Sequence, residues 1–212
     1  LQAGIAELQQ RYTTLPFDPQ TVGLLLLPHF LEQFINKPAK TLLLELNVAR
    51  VQGRLQGETP EARFLFFLQQ FAQPEKMLAL LEEYPVLARQ LVELTLNWVA
   101  RELELLQRLC ADWAEMRILF APTGDCGLLS EIKEGAGDPH QGGRSVCILT
   151  WSSGLRLVYK PRPLAIDAHF QELLAWLNTH GCQPAFRTAK LLDRESYGWY
   201  EYFATSGCAT RE

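Results

Sequence analysis

The glycine-rich segment at residues 135–144 holds the side chains of this sequence that are best suited to chemistry. Asp138, His140 and Arg144 lie within seven residues of one another. A histidine can move protons near neutral pH, an aspartate can orient it or bind a metal, and an arginine can bind phosphate. The segment also contains four glycines, which permit positive φ angles and close approach of the backbone to a phosphate: Gly135, Gly137, Gly142 and Gly143. This combination favours a site over a plain surface loop, which is the alternative.

A second candidate is Lys160, which ends the β-rich run Leu155–Lys160. Taken alone, a lysine at a strand end is most often a solvated charge. Its place between the glycine-rich segment and a following helix favours a phosphate ligand, because such a ligand needs a positive charge on a rigid element. Glu172, twelve residues later on that helix, is the expected ion-pair partner of Lys160.

The second part of the chain must position these residues with strands. An amphipathic pattern predicts a helix at Asp167–Asn178. Apolar runs between turn residues predict five strands, Leu128–Ile132, Ser145–Trp151, Leu155–Lys160, Thr188–Leu192 and Gly198–Phe203. The inward face of the helix is predicted to consist of Phe170, Leu173, Leu174 and Leu177.

The order of these elements is that of the small lobe of a protein kinase. In that lobe a glycine-rich loop covers the phosphates of ATP, a lysine on the third strand contacts them, and a helix supplies a glutamate. The predicted ATP ligands are Lys160, Glu172, Arg144 and the glycines of the segment. The segment matches neither the GxxxxGK[ST] loop nor the GxGxxGxV loop of protein kinases.

The first part of the chain is predicted to be helical. Thr59 has the features of an N-cap, followed by Pro60 at the first helical position. A long helix is predicted from Tyr84–Pro85 toward Met116, with Leu87, Leu91, Leu94, Trp98, Leu105, Leu109 and Trp113 on its buried side. The predicted fold class is therefore α+β, with a helical region at 1–122 and a kinase-like small lobe at 123–212.

Composition excludes several classes of function. The net charge of −4 gives no general attraction to nucleic acid or to anionic membranes, and the apolar run Val22–Leu27 is too short to cross a bilayer. Five cysteines without a CxxC pair argue against a disulfide framework or a zinc site and favour a reducing cytoplasm. The chain opens on Leu1 without a signal peptide, and its natural N-terminus is expected upstream.

Several segments together resemble the dehydratase domain of class II lanthipeptide (lantibiotic) synthetases. The most specific are GDPHQGGRSV at 137–146 and LVYKPR at 157–162. Further matching segments are FQELL at 170–174, FRT at 186–188, YGW at 197–199, GETPE at 57–61 and YPVL at 84–87. The resemblance covers most of the chain.

This resemblance implies a chemistry and its cofactors. Family members use ATP and Mg²⁺ to phosphorylate Ser and Thr of a ribosomal precursor peptide and then eliminate the phosphate, and a separate zinc cyclase domain adds Cys thiols to the products. The family's dehydratase is a lipid-kinase-like domain with two lobes and added helices. Lys160 matches its ATP-phosphate lysine. Asp138 and His140 match the acidic and imidazole positions of its phosphate-binding loop, where they could serve phosphorylation, elimination or both.

Parts of that machinery have no match among the 212 residues. No catalytic-loop Asp and Asn or metal-binding Asp follows Lys160, and the zinc cyclase is absent. The chain is therefore expected to be a truncated part of a synthetase, inactive alone. Two alternatives are a kinase-like enzyme that acts on a lipid or small molecule, and a non-catalytic module that binds a leader peptide. The helical region could also be a protein-interaction domain.

Overall fold

The computed structural model describes residues 1–135 and 144–204. Asp138 and His140 therefore lie outside the described residues, as do Gly137, Gly142, Gly143 and Cys208. The helices within the described ranges are α1 (Gln2–Arg11), α2 (Val22–Asn36), α3 (Ala39–Val51), α4 (Pro60–Gln70), α5 (Pro74–Glu83), α6 (Pro85–Phe120) and α7 (Ala165–Thr179). The strands are β1 (Leu129–Lys133), β2 (Cys147–Trp151), β3 (Arg156–Lys160), β4 (Leu191–Asp193) and β5 (Gly198–Glu201). The predicted α+β class is confirmed.

The chain divides into two compact units. The sheet unit comprises Leu1–His29 with Ala100–Glu212, and the helical unit comprises Phe30–Val99. The boundary predicted at residue 122 marks the place where helices give way to strands. It does not coincide with this division, because the second part of α6 belongs with the sheet.

Two helices of the helical unit begin where the local sequence predicts. The Thr59 hydroxyl caps α4 by accepting a 3.1 Å hydrogen bond from the Ala62 N–H, and Pro60 occupies the first turn. Phe30 stacks on Trp98 with 4.4 Å between ring centroids. The predicted long helix is confirmed by α6, which begins at Pro85.

The five strands form one antiparallel sheet in the order β1-β2-β3-β5-β4. The predicted hairpin is confirmed, with Cys147 of β2 opposite Tyr159 of β3. On the other side of β3, Tyr159 lies opposite Trp199 and Lys160 lies opposite Gly198 of β5. Because alternate residues of a strand point to opposite faces, Tyr159 and Lys160 face opposite sides of the sheet.

The face that carries Tyr159 is the buried core of the sheet unit. It packs against the second part of α6, where the rings of Trp113 and Trp151 stack with 5.3 Å between centroids. The buried side chains of this layer are Leu105, Leu106, Leu109, Trp113 and Met116 of α6, and Cys147, Leu149, Trp151, Leu157, Tyr159, Leu192 and Trp199 of the strands. Their number explains why the apolar periodicity of α6 could be recognised in the sequence.

Helix α7 covers the opposite face, the one that carries Lys160, with only part of the predicted stripe. Phe170 and Leu173 were expected to point inward, and both are exposed. Leu174 and Leu177 are half-buried as predicted. Beside them, Asp167, Gln171 and Asn178 bond the sheet or its loops through polar groups. The prediction was therefore wrong for two of its four residues, because apolar periodicity does not report which polar side chains of a helix share its inward face.

The fourth strand is shorter than predicted, because it begins at Leu191 and not at Thr188. Before Lys190, side chains bond part of the backbone in place of a neighbouring strand. Asn178 bonds both backbone groups of Phe186, and the carbonyl of the Gln171 side chain accepts from the Ala189 N–H at 2.7 Å. Because these backbone groups already have partners, the segment has no need of a strand ladder.

We expect Gly198→Ala to destabilise the sheet unit. A Cβ at this position would lie 2.3 Å from Cδ1 of the buried Leu164 and 2.6 Å from the backbone oxygen of Leu192, so neighbours on two sides would have to move. Overpacking of this kind costs about 1–3 kcal/mol of the free energy of unfolding, measurable by urea denaturation. Gly124→Ala is the control, since nothing lies within 4 Å of its added Cβ. Equal stability of the two variants would contradict the prediction.

Candidate active site

Lys160 is held at the end of β3 by two contacts. Its Nζ lies 2.7 Å from Oδ1 of Asp167 in the first turn of α7, and 4.2 Å from the ring centroid of Tyr200. The lysine side chain is only 19% exposed. These contacts give the ammonium group a fixed place and orientation, which the ordinary solvated lysine at a strand end lacks.

Asp167 is shared between two cations. Its second oxygen, Oδ2, lies 2.9 Å from Nη1 of Arg162. Partial burial opposes ionisation of Asp167, but the hydrogen bonds from Lys160 and Arg162 outweigh burial and lower its pKa below the ordinary value. The aspartate is therefore ionised, and it holds the ammonium group of Lys160 in place through the 2.7 Å contact.

The expected ion pair between Lys160 and Glu172 is not present, and Asp167 takes the place of the glutamate. The Glu172 side chain is 75% exposed and pairs with His169 at 3.2 Å. The physical reason is helical geometry: Glu172 lies five positions after Asp167, which places the two residues about 140° apart around the helix axis. A residue four positions after Asp167, namely Gln171, shares its face.

The two ends of the glycine-rich segment meet beside the end of β3. The Gly135 N–H donates a 3.2 Å hydrogen bond to Oγ of Ser145, and Gly135 has φ of +71°, which favours glycine. Two residues after Ser145, Cys147 of β2 lies opposite Tyr159 of β3. Gly135, Arg144 and Lys160 of the predicted site are thus brought into one region. The prediction that Asp138, His140 and the remaining glycines belong to it rests on the sequence alone.

Arg144 was predicted to bind phosphate, and the structure shows a protein partner for its guanidinium. Its Nε and Nη2 lie 3.0 and 2.9 Å from Oε2 of Glu104 on α6. The same glutamate pairs through Oε1 with Arg108 at 2.6 Å. This ion pair connects the C-terminal end of the glycine-rich segment to α6.

Behind this region lies a small cavity of about 20 Å³, enough for a single water molecule. It is lined by Arg101, Glu102, Glu104, Leu105, Glu134, Arg144, Ser145, Cys147, Tyr159 and Pro161. Glu102 is only 3% exposed. Burial, and then the neighbouring Glu134, raise the pKa of Glu102 to about 8, although Arg101 opposes the shift. Burial raises the pKa of Glu134 as well, against the effect of His29 and Arg101.

We expect this buried carboxyl to make the stability of the protein fall as the pH rises. The pKa of Glu102 rises from about 4.5 in the unfolded chain to about 8 in the folded one, so the folded state binds the extra proton. Stability is then lost between these two pH values and is level above them. Glu102→Gln mimics the neutral form at every pH. The free energy of unfolding of this variant, minus that of wild type, is expected to be about 2–4 kcal/mol larger at pH 9 than at pH 4.

The measurement is urea unfolding of both proteins across that pH range. Glu93→Gln on the same helix is the control, since this side chain is exposed and its change removes a charge without relieving burial. Parallel stability curves for wild type and Glu102→Gln would contradict the assignment of the pH effect to Glu102.

A buried ionic network further along α6 was not foreseen from the sequence. Asp112 is 5% exposed and accepts hydrogen bonds from Nε of Arg194 at 2.8 Å, the Tyr197 hydroxyl at 2.9 Å and Nε1 of Trp199 at 2.7 Å. One signal was available: an aspartate within the apolar stripe of a long helix must have buried partners. The sequence could not say which residues these were.

Within the described part of the chain, no group of three or more His, Cys, Asp or Glu side chains is arranged to hold a metal ion. None of the helices in the same part is both long and apolar enough to span a membrane.

Comparison with known proteins shows the family of the chain. Residues 84–212 match a family described as Domain of unknown function (DUF4135), and this chain belongs to that family. The lacticin 481/lactococcin biosynthesis protein LcnDR2 of Lactococcus lactis subsp. lactis is 26% identical over 180 residues, which cover 79% of this chain and 19% of the relative. The chain thus spans about a fifth of the length of this relative. These matches confirm the resemblance to the class II lanthipeptide synthetases.

Proposed function

We propose that this chain is the ATP-binding part of a lanthipeptide synthetase that dehydrates Ser and Thr of a ribosomal precursor peptide. The observation that carries the proposal is the fixed position of Lys160. Its strand ends beside the base of the glycine-rich segment, and Asp167 with Tyr200 holds its ammonium group. A phosphate-binding loop next to a fixed cation is the arrangement that phosphoryl transfer requires. The name of the Lactococcus relative supports biosynthesis of a lantibiotic as the setting.

The proposed reaction has two steps. In the first, the hydroxyl oxygen of a Ser or Thr forms a bond to the γ-phosphorus of ATP, the bond to ADP breaks, and the hydroxyl proton passes to a base. In the second, a base takes the α-proton, a Cα–Cβ double bond forms, and the Cβ–O bond breaks to release phosphate. Phosphate is a far better leaving group than hydroxide, which is the reason for the first step.

Each candidate residue has a proposed role in these steps. Lys160 offsets the negative charge of the ATP phosphates, and Asp167 keeps the side chain of this lysine in place. Mg²⁺ would accompany the nucleotide as its counter-ion. Asp138 and His140 are proposed to move protons in phosphorylation, elimination or both. The leader and core of the precursor peptide are the proposed partner.

This chain matches only part of the relative, so some of the residues that the reaction needs are proposed to lie in other parts of the protein. We propose that a second lobe supplies the catalytic-loop Asp and Asn and the metal-binding Asp, since no such motif follows Lys160 in these 212 residues. The chain alone would then bind ATP without dehydrating peptide. Cys110, Cys126, Cys147 and Cys182 are unpaired thiols, which supports a reducing compartment such as the cytoplasm.

Mass spectrometry of a Ser/Thr/Cys-rich precursor peptide, incubated with the full-length protein and Mg-ATP, tests the proposal. Loss of water that depends on ATP is the expected result. A gain of phosphate without loss of water would indicate a kinase that does not eliminate. An unchanged peptide that nevertheless binds to the folded protein would favour the non-catalytic peptide-binding module. ATP consumption with a lipid or small molecule alone would favour the remaining alternative.

A further inference from the structure

The register of the sheet places the Tyr200 ring beside Lys160. Lys160 of β3 lies directly opposite Gly198 of β5, which has no side chain. Tyr200, two residues further along β5, is the diagonal neighbour on the same face, and aromatic and long side chains reach one another across such a diagonal. Its ring centroid lies 4.2 Å from the Lys160 Nζ. A tyrosine ring can turn about its side-chain bonds, so this contact lasts only where the ring is fixed.

Gln171 of α7 fixes the hydroxyl end of this ring. Its Nε2 donates a 2.9 Å hydrogen bond to the Tyr200 hydroxyl oxygen, and its Oε1 accepts from the Ala189 N–H at 2.7 Å. A backbone N–H can only donate, so the amide oxygen must face Ala189 and the amide nitrogen must face Tyr200. With both ends of the amide engaged, Gln171 has one orientation, and the Tyr200 ring is fixed with it.

Gln171 lies on the face of α7 that also carries the anion bound to Lys160. Asp167 is four positions before Gln171, a spacing that places two residues on one face of a helix. Asp167 contacts Nζ directly at 2.7 Å, and Gln171 reaches the same group through the Tyr200 ring. One helix face thus supplies the carboxylate and holds the ring that contact the ammonium group.

We propose that Gln171 is a positioning residue, which fixes the Tyr200 ring against the ammonium group of Lys160. This inference rests on the proposed function, because it concerns the lysine assigned to the ATP phosphates. A cation is attracted to the face of a ring, so a ring free to turn would hold the lysine in several positions. A lysine already held in one position loses less freedom when a phosphate binds, and Gln171 thus contributes to ATP affinity without touching ATP.

The test compares the full-length protein with its Gln171→Met variant, which keeps the length of the side chain and removes both hydrogen bonds. We expect the KM for ATP in peptide dehydration to rise about three- to tenfold, the scale of one lost hydrogen bond, with the KM for the precursor peptide unchanged. A variant that only folded less well would lower kcat and leave both KM values unchanged.

Asn178→Leu is the matched control for loss of an amide from α7. Asn178 also donates and accepts through its amide, but to the backbone of Phe186, about three turns along the helix from Asp167. Its removal leaves backbone groups unbonded, as Gln171→Met does, without affecting the Tyr200 ring. The KM for ATP of Asn178→Leu should therefore equal that of wild type.

A double-mutant cycle with Tyr200→Phe tests whether Gln171 acts through Tyr200. Phenylalanine keeps the ring and removes the oxygen that Gln171 bonds. Gln171→Met is therefore expected to raise the KM for ATP much less in the Tyr200→Phe background than in wild type. Full additivity, a wild-type KM for Gln171→Met, or an equal rise for Asn178→Leu would overturn the inference.

Acetylation of Lys160 by acetic anhydride, without nucleotide, is a readout that does not require activity. Mass spectrometry of the digested full-length protein measures its rate, with the exposed Lys133 of the edge strand β1 as internal reference. Faster acetylation of Lys160 in Gln171→Met, at an unchanged rate for Lys133, supports the positioning role, and an unchanged rate for Lys160 overturns it. If the wild type modifies no peptide with ATP, the proposed function fails, and the acetylation rates still decide the role of Gln171.

Discussion

Asp112→Ala is expected to lower the free energy of unfolding by about 3–5 kcal/mol, the cost of breaking a buried ion pair by removing one partner. Its carboxylate accepts from Arg194, Tyr197 and Trp199 at 2.7–2.9 Å. Alanine leaves the fully buried indole N–H of Trp199 without this acceptor. It also leaves the Arg194 guanidinium, at its buried end, without a counter-charge. A buried polar group that loses its partner still bears the full free-energy cost of its desolvation.

Urea denaturation followed by tryptophan fluorescence measures this effect. Glu115→Ala is the control, because Glu115 pairs with the same Arg194 from an exposed position and should contribute less than about 1 kcal/mol. Asp112→Asn is expected to fall between wild type and Asp112→Ala, since it keeps one acceptor oxygen and loses the charge. Equal stability of Asp112→Ala and Glu115→Ala would show that burial of this network contributes nothing.

The second large effect is expected on activity. In the full-length protein, Lys160→Ala should reduce ATP-dependent loss of water from the precursor peptide by about 10²–10³-fold, the scale seen when one charge-stabilising group is removed from an active site. The mass-spectrometric assay measures it directly. Lys160→Arg is not expected to restore activity, because the planar guanidinium cannot take the place of a compact ammonium between Asp167 and the Tyr200 ring.

Three further variants identify the residue that positions Lys160. Asp167→Asn should impair the reaction, since it removes the counter-charge at 2.7 Å from Nζ. Glu172→Gln should leave it near wild type, because that carboxylate is exposed and contacts His169. Arg162→Ala, which removes only the more exposed partner of Asp167, should have a small effect. If only Glu172→Gln lost activity, that result would support the Lys160–Glu172 ion pair predicted from the sequence and would contradict the role of Asp167.

The sequence alone was sufficient for those features that depend on neighbouring residues. The hairpin of β2 and β3 follows from two alternating apolar runs around Ser152–Gly154, and the start of α4 follows from the cap at Thr59. The long helix α6 follows from a stripe of apolar residues, most of which are buried. The place of Lys160 at the end of a strand was predicted correctly for the same reason: strand endings are marked locally, here by Pro161.

Tertiary structure decided which residues pair with one another. The anchoring of Arg144 by Glu104 and the buried position of Glu102 depend on residues brought together from distant parts of the chain. Lys160 and Asp167 are close in the sequence, and the rotation of α7 decides that Lys160 pairs with Asp167 and not with Glu172. Periodicity reports which side of an element avoids water, but it does not report the partner of a polar group on that side. That partner is set by the register of strands and the rotation of helices, and a shift of one residue replaces one carboxylate with another.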